Sequence, residues 1–133
     1  MATFCCEVTP PLGSPLRHNP LATVENSLLA KGIVLDDGQS RYILCSIDWC
    51  LTNYLTHLSF RRRMAQAAGT DASRVALHCV HQHTAPWGDE DVQKLIDQTE
   101  NPFVHSDMKF NNDVADRLAE SVKRAIGELE PFD

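Results

Sequence analysis

The chain has little positive charge: 12 Lys and Arg stand against 18 Asp and Glu, a formal net charge of −6. A general nucleic-acid or anionic-membrane binder needs a basic face, so those classes are excluded. The one basic cluster, Arg61-Arg62-Arg63, reads as a solvated helix face rather than an anion site. No apolar run approaches the ~20 residues of a membrane span. The first residues, M-A-T-F-C-C-E-V-T-P-P, lack the charged n-region and long apolar h-region of a secretory signal. There is no C-x-x-C and no H-E-x-x-H, which removes the cysteine zinc knuckle and the helical metalloprotease site. The five cysteines are odd in number and carry no disulfide-scaffold spacing. Cys5, Cys45 and Cys79 lie in apolar runs and are expected to be buried reduced thiols. A cytoplasmic, reducing location is therefore expected.

What is present is the apolar content of one ordinary domain, 43% over 133 residues, and residues 1–133 are read as a single domain. Residues 3–8 have a strand pattern that Pro10-Pro11-Leu12-Gly13 must end, because proline cannot donate to a ladder. Residues 27–35 and 41–47 flank Asp36-Asp37-Gly38, a turn in which glycine accepts positive φ at little cost, and together they predict a β-hairpin. Leu55, Leu58, Met64 and Ala65 fall near helical spacing over residues 55–68, with Gly69 as the stop. Residues 74–80 are again a strand. Strand, helix and strand predict a right-handed β-α-β unit with parallel strands. Residues 89–98 are acidic and suggest a short helix. Residues 111–129 form a long amphipathic helix through Val114, Leu118, Val122 and Leu129. The fold class is therefore α/β: a mixed sheet with a hairpin and a β-α-β unit, covered by helices that include a long C-terminal one.

Chemistry concentrates in V-H-Q-H-T-A-P, residues 80–86. Sites in open α/β sheets gather outside the carboxyl ends of parallel strands. Asp48 and His81 both fall there. In an extended segment His81 and His83 would project to one side, since side chains alternate with period two. An imidazole suits Zn²⁺ when its second nitrogen is held by an outer partner. Asp48 could be that partner or could cap backbone; Thr84 offers a hydroxyl for local bonds. His78 lies inside the strand and reads as structural. His18, His57 and His105 are isolated. Spacing alone leaves metal binding and a strand-end polar cluster equally open.

Taken in order, four segments are similar to the N-terminal part of the neutral/alkaline, non-lysosomal ceramidases. E-V-T-P-P-L-G (residues 7–13) resembles the family's D-I-T-P-P-x-G. L-L-A-K-G-I-V-L-D-D-G (28–38) resembles its L-x-A-R-A-L-V-L-D-D-G hairpin, and I-L-C-S-I-D (43–48) its strand ending in S-x-D. V-A-L-H-C-V-H-Q-H-T-A-P (75–86) resembles the strand ending in T-H-T-H-S-G-P. The last helix, ending E-L-E-P, resembles one ending L-x-P. Glu7, Gln82 and Ala85 depart from the pattern, and the acidic stretch 88–100 has no counterpart.

The resemblance implies a zinc-dependent amidohydrolase acting on an N-acyl amide, with a small-molecule or lipid amide as substrate. His81 matches a zinc ligand, and His83 matches the histidine beside the metal-bound water and substrate, hence a catalytic role. Asp48 matches the strand-end aspartate, which implies a role in holding a metal ligand or the local backbone rather than the metal itself. The family's remaining histidine, glutamate and tyrosine come from far later in a longer chain. The expectation is an N-terminal fragment of a larger catalytic domain, inactive or weakly active alone. Two other readings stand beside it. One is a non-catalytic binding or scaffold domain that keeps the fold without a complete site. The other is a different metal hydrolase completed by His18 or His105. A missing downstream strand further predicts an exposed edge or apolar face and a homo-oligomer through it.

Overall fold

The structure is a computed structural model that describes residues 1–16 and 19–132. Its main sheet has four strands: β1 (Ala2–Glu7), β2 (Leu29–Asp36), β3 (Arg41–Ile47) and β5 (Val75–Cys79), in the order β1-β2-β3-β5. The first two pairings are antiparallel; β3 and β5 are parallel, with Ile43 opposite Val75 and Ile47 opposite Cys79. The crossover between them is α1 (Tyr54–Ala68). Two residues of β4 (Leu51–Thr52) pair in parallel with two of β6 (Trp87–Gly88). A short α2 (Glu90–Ile96) and a long α3 (Met108–Ile126) follow. The mixed sheet and its helices are those expected from the sequence.

Local chemistry sets the boundaries. Gly38 takes φ 83 in the β2–β3 turn, and Gly69 takes φ 63 after α1, both left-handed positions that glycine occupies without a Cβ clash. The carboxylates of Asp36 and Asp37 accept from the backbone N–H of Gly38 and Gln39, which tightens the hairpin. Asp36 also accepts from Arg41 Nε at 2.8 Å, and this bond holds its carboxyl below the usual carboxylate range. α3 begins earlier than its apolar repeat suggests, because Asp107 caps it by accepting from Phe110 N. It ends at Gly127 rather than running to residue 129.

Alternation sends Phe4, Val8, Ala30, Val34, Ile43, Cys45, Ile47, Val75 and Leu77 to one face of the sheet, all buried. α1 and α3 lie on that face and contribute Phe60, Met64, Val114, Leu118 and Val122 to the same core. Gly32 leaves room for the Phe4 ring: a Cβ there would stand 2.3 Å from Phe4 Cζ and 2.5 Å from the Leu44 carbonyl. Among the described residues the opposite face carries no helix. Tyr42 and Leu44 are exposed on it, 40% and 47%, together with Thr3, Lys31 and His78, so the face is mixed in polarity. No helix among the described residues is long and apolar enough to cross a membrane.

The cysteines divide by the pleat. Cys45 points into the core, where burial pushes its thiol up to about 12. Cys79 is half-buried and also raised by burial. Cys5, expected to be buried, is exposed because odd-numbered residues of β1 face the open side. Thiolate is the reactive form. Labelling with iodoacetamide at pH 8 should therefore modify Cys5 first and leave Cys45 unmodified until the fold opens; mass spectrometry of the peptides reads the order.

Candidate functional site

Two loops meet beyond the carboxyl ends of β3 and β5. The first is Asp48-Trp49-Cys50. Asp48 N donates to the Leu29 carbonyl at 2.9 Å, and Asp48 Oδ2 accepts from Leu29 N at 2.9 Å. This reciprocal pair ties the end of β3 to the start of β2, so the observed work of Asp48 is a backbone clamp. Trp49 is fully buried; its indole N–H donates to the Val8 carbonyl at 3.0 Å. Its ring meets Phe60 edge-on at 5.6 Å and stacks on Phe110 at 5.8 Å.

The second loop is the histidine segment. His81 N donates to the Trp49 carbonyl at 3.1 Å, and His81 Nδ1 lies 2.8 Å from the Cys50 carbonyl. A carbonyl can only accept, so Nδ1 carries the proton and, in the neutral ring, Nε2 keeps its lone pair. Cys50 N in turn donates to the Pro86 carbonyl at 3.1 Å. The backbone of one residue thus holds both the start and the end of the histidine loop.

The segment is not extended, as the period-two argument assumed. His81 has φ 67, the one non-glycine residue with positive φ among those described. A left-handed residue costs of order 1 kcal/mol when it bears a Cβ. The histidines still converge: the rings of His81 and His83 are 5.0 Å apart and nearly perpendicular. They meet through a turn rather than by strand alternation.

A cleft of about 760 Å³ opens at this point. Asp48, Gln82, His83 and Thr84 form one wall. The other comes from the long loop after β1, including Leu16, Leu21, Val24, Glu25 and Leu28. That loop is braced. Leu28 N donates to Thr9 Oγ1 at 2.8 Å, Ser27 Oγ to Glu7 Oε1 at 2.9 Å, and Gly13 N to the Leu21 carbonyl at 2.8 Å. Gly13 takes φ 85, which the E-V-T-P-P-L-G segment supplies.

As metal donors the residues fit in part. His81 is exposed, with one nitrogen fixed by a carbonyl, which is how protein ligands are commonly oriented. Among the described residues no group of three His, Cys, Asp or Glu side chains is placed to hold an ion. His105 does not join the pair; its Nε2 is 3.3 Å from Asp89 Oδ2 and its ring lies against Trp87. His57 Nε2 bonds the Leu77 carbonyl, and His18 lies outside the described residues. Sequence reasoning missed Trp49 and Cys50, which orient His81. Their position directly after the S-I-D strand end, facing the histidine loop across the parallel pair, was the available signal.

Two solved structures share this fold. The chain superposes on the neutral ceramidase from Pseudomonas aeruginosa with a TM-score of 0.71 at 17% identity, over 98% of this chain and 22% of that one. On a ceramidase complexed with C2 the TM-score is 0.72 at 18% identity, over 98% and 21% of the two chains. The chain therefore has a partial ceramidase-like fold and spans about a fifth of the length of these structures. No family model and no curated protein matches it.

Two substitutions test the local geometry. A Cβ on Gly88 would stand 2.8 Å from Thr56 Cγ2 and 3.1 Å from Trp49 Cζ3. Gly88→Ala should cost about 1–3 kcal/mol, the usual range for overpacking, seen as a lower urea midpoint at unchanged m-value. At position 81, glycine relieves the backbone and alanine does not. His81→Gly should be more stable than His81→Ala by about 1 kcal/mol; equal midpoints would deny the left-handed turn.

Proposed function

We propose that residues 1–133 form one domain of a larger zinc-dependent amidohydrolase resembling neutral ceramidase, and that the chain is inactive or weakly active alone. The observation that carries this reading is the bond from His81 Nδ1 to the Cys50 carbonyl. It leaves Nε2 of an exposed ring as the free donor atom, with the His83 ring 5.0 Å away on the wall of the cleft. The ceramidase-like fold and the ordered motif resemblance support it.

In this reading His81 supplies one ligand to Zn²⁺. When bound, the metal would polarise an acyl carbonyl and activate water. His83 faces the substrate, where its ring can donate to an oxygen that gains charge. Thr84 and Asp48 shape the wall, and Asp48 also keeps the strand ends in register. The apolar side chains of the facing loop suit the hydrocarbon part of an N-acyl amide. Zinc catalysis ordinarily uses three protein ligands, so the others come from outside the described residues. A reducing, cytoplasmic setting suits five free thiols. Self-association would use the open sheet face that carries Tyr42 and Leu44. The second reading, a scaffold without a working site, rests on the absence of a third ligand near His81 among the described residues.

Zinc titration by calorimetry separates the two. The amidohydrolase reading expects one weak site in the chain, abolished in His81→Ala and weakened in His83→Ala. His81→Gly, which keeps the turn relaxed, should also lose it. Zinc binding absent from the native chain, or unchanged in His81→Ala, would support the scaffold instead.

A further inference from the structure

β5 is the last strand of the sheet, and its outer side ought to be open to pairing. Val80 N donates to the Ile47 carbonyl. In a parallel ladder this directs the N–H and C=O of the even-numbered β5 residues toward β3, and those of Val75, Leu77 and Cys79 outward. Two of these three outward carbonyls are occupied by side chains of α1. Arg61 Nε donates to the Val75 carbonyl at 2.8 Å, and the same guanidinium reaches the Ala72 carbonyl. His57 Nε2 donates to the Leu77 carbonyl at 3.1 Å. At Cys79 the sulfur lies 3.6 Å from Thr52 Oγ1.

The spacings explain the fit. His57 and Arg61 are four apart on α1, one above the other, a rise of roughly 6 Å. Val75 and Leu77 are two apart on a strand, roughly 6.6 Å. α1 runs opposite to β5, so the earlier helix residue meets the later strand residue. At β1, by contrast, Arg117 holds only the Glu7 carbonyl and Glu130 exchanges bonds with Met1. The backbone of Thr3 and Cys5 lies between them.

We propose that His57 and Arg61 are guards of the β5 edge: by occupying its outward carbonyls they prevent a second copy of this chain from pairing there, β5 to β5. The proposal narrows the expected self-association through an open edge to edges other than β5. It also gives Arg61, the first residue of the basic triplet, a specific role. An isologous antiparallel pairing needs the outward carbonyls on both copies, and those of Val75 and Leu77 are already taken in the wild-type chain.

The test removes the donors while keeping bulk, in His57→Leu/Arg61→Met, and compares it with His57→Gln/Arg61→Lys, which keeps a donor at each place. Sedimentation velocity over a concentration series reads association, and hydrogen exchange reads the outward N–H of Leu77 and Cys79. The expected result is a dimer of the donor-less protein with those two amides protected at least about tenfold, while the wild type and the donor-keeping protein leave them open. A folded donor-less protein whose Leu77 and Cys79 amides exchange as in the wild type would overturn the proposal, as would equal association of the donor-keeping protein. Should the double change fail to fold, His57→Leu alone opens the Leu77 carbonyl. Concentration-dependent protection there supports the guard, and its absence overturns it.

Discussion

The buried indole of Trp49 joins the parts on which this structure depends. Its N–H answers the carbonyl of Val8, where β1 ends, and its ring sits between Phe60 of α1 and Phe110 of α3. Its own carbonyl receives His81 N. One side chain therefore sets the distance from the sheet to both helices while its backbone fixes the histidine loop. Removing a buried aromatic of this kind costs about 3–5 kcal/mol, a large part of what a small domain has. The loss would reach the site as well as the core, because Trp49 and Cys50 are consecutive and share the task of holding His81.

That sharing explains how the protein can tolerate a histidine at positive φ. A left-handed residue in a free loop would relax to an allowed region. Here N–H and Nδ1 of His81 are held by carbonyls of adjacent residues, and the loop returns to Cys50 N through the Pro86 carbonyl. Three bonds to one short segment over-determine the turn. The strain is spent on aiming Nε2 and on bringing the two imidazoles within 5.0 Å.

The strands and helices were legible because their signals are local. Gly38 and Gly69 mark turns that need positive φ, and the repeat of Val114, Leu118 and Val122 marks one helix face. The expected strands and helices are found with shifted ends; the early start of α3 arises from the Asp107 cap, whose effect depends on side-chain orientation. The site was legible only as a location. Parallel strand ends at Asp48 and His81 follow from the β-α-β unit, but the left-handed turn does not, since nothing in V-H-Q-H announces it. β4 and β6 were missed because two residues carry no periodicity. Cys5 was misplaced because an apolar run on a half-covered sheet does not reveal which face is covered.

The sheet has two kinds of open surface, and the sequence treats them differently. On the edge, α1 supplies donors at a spacing matched to the carbonyls of β5. On the face, Tyr42 and Leu44 stay exposed with Arg74 over the Tyr42 ring at 5.8 Å. An unpaired edge is directional and recruits any extended chain, whereas an apolar face requires a partner of complementary shape. Closing the β5 edge while leaving the face open limits strand addition on that side without limiting packing. The asymmetry leaves the open face able to accept another layer of protein while the β5 edge stays unavailable to copies of the chain.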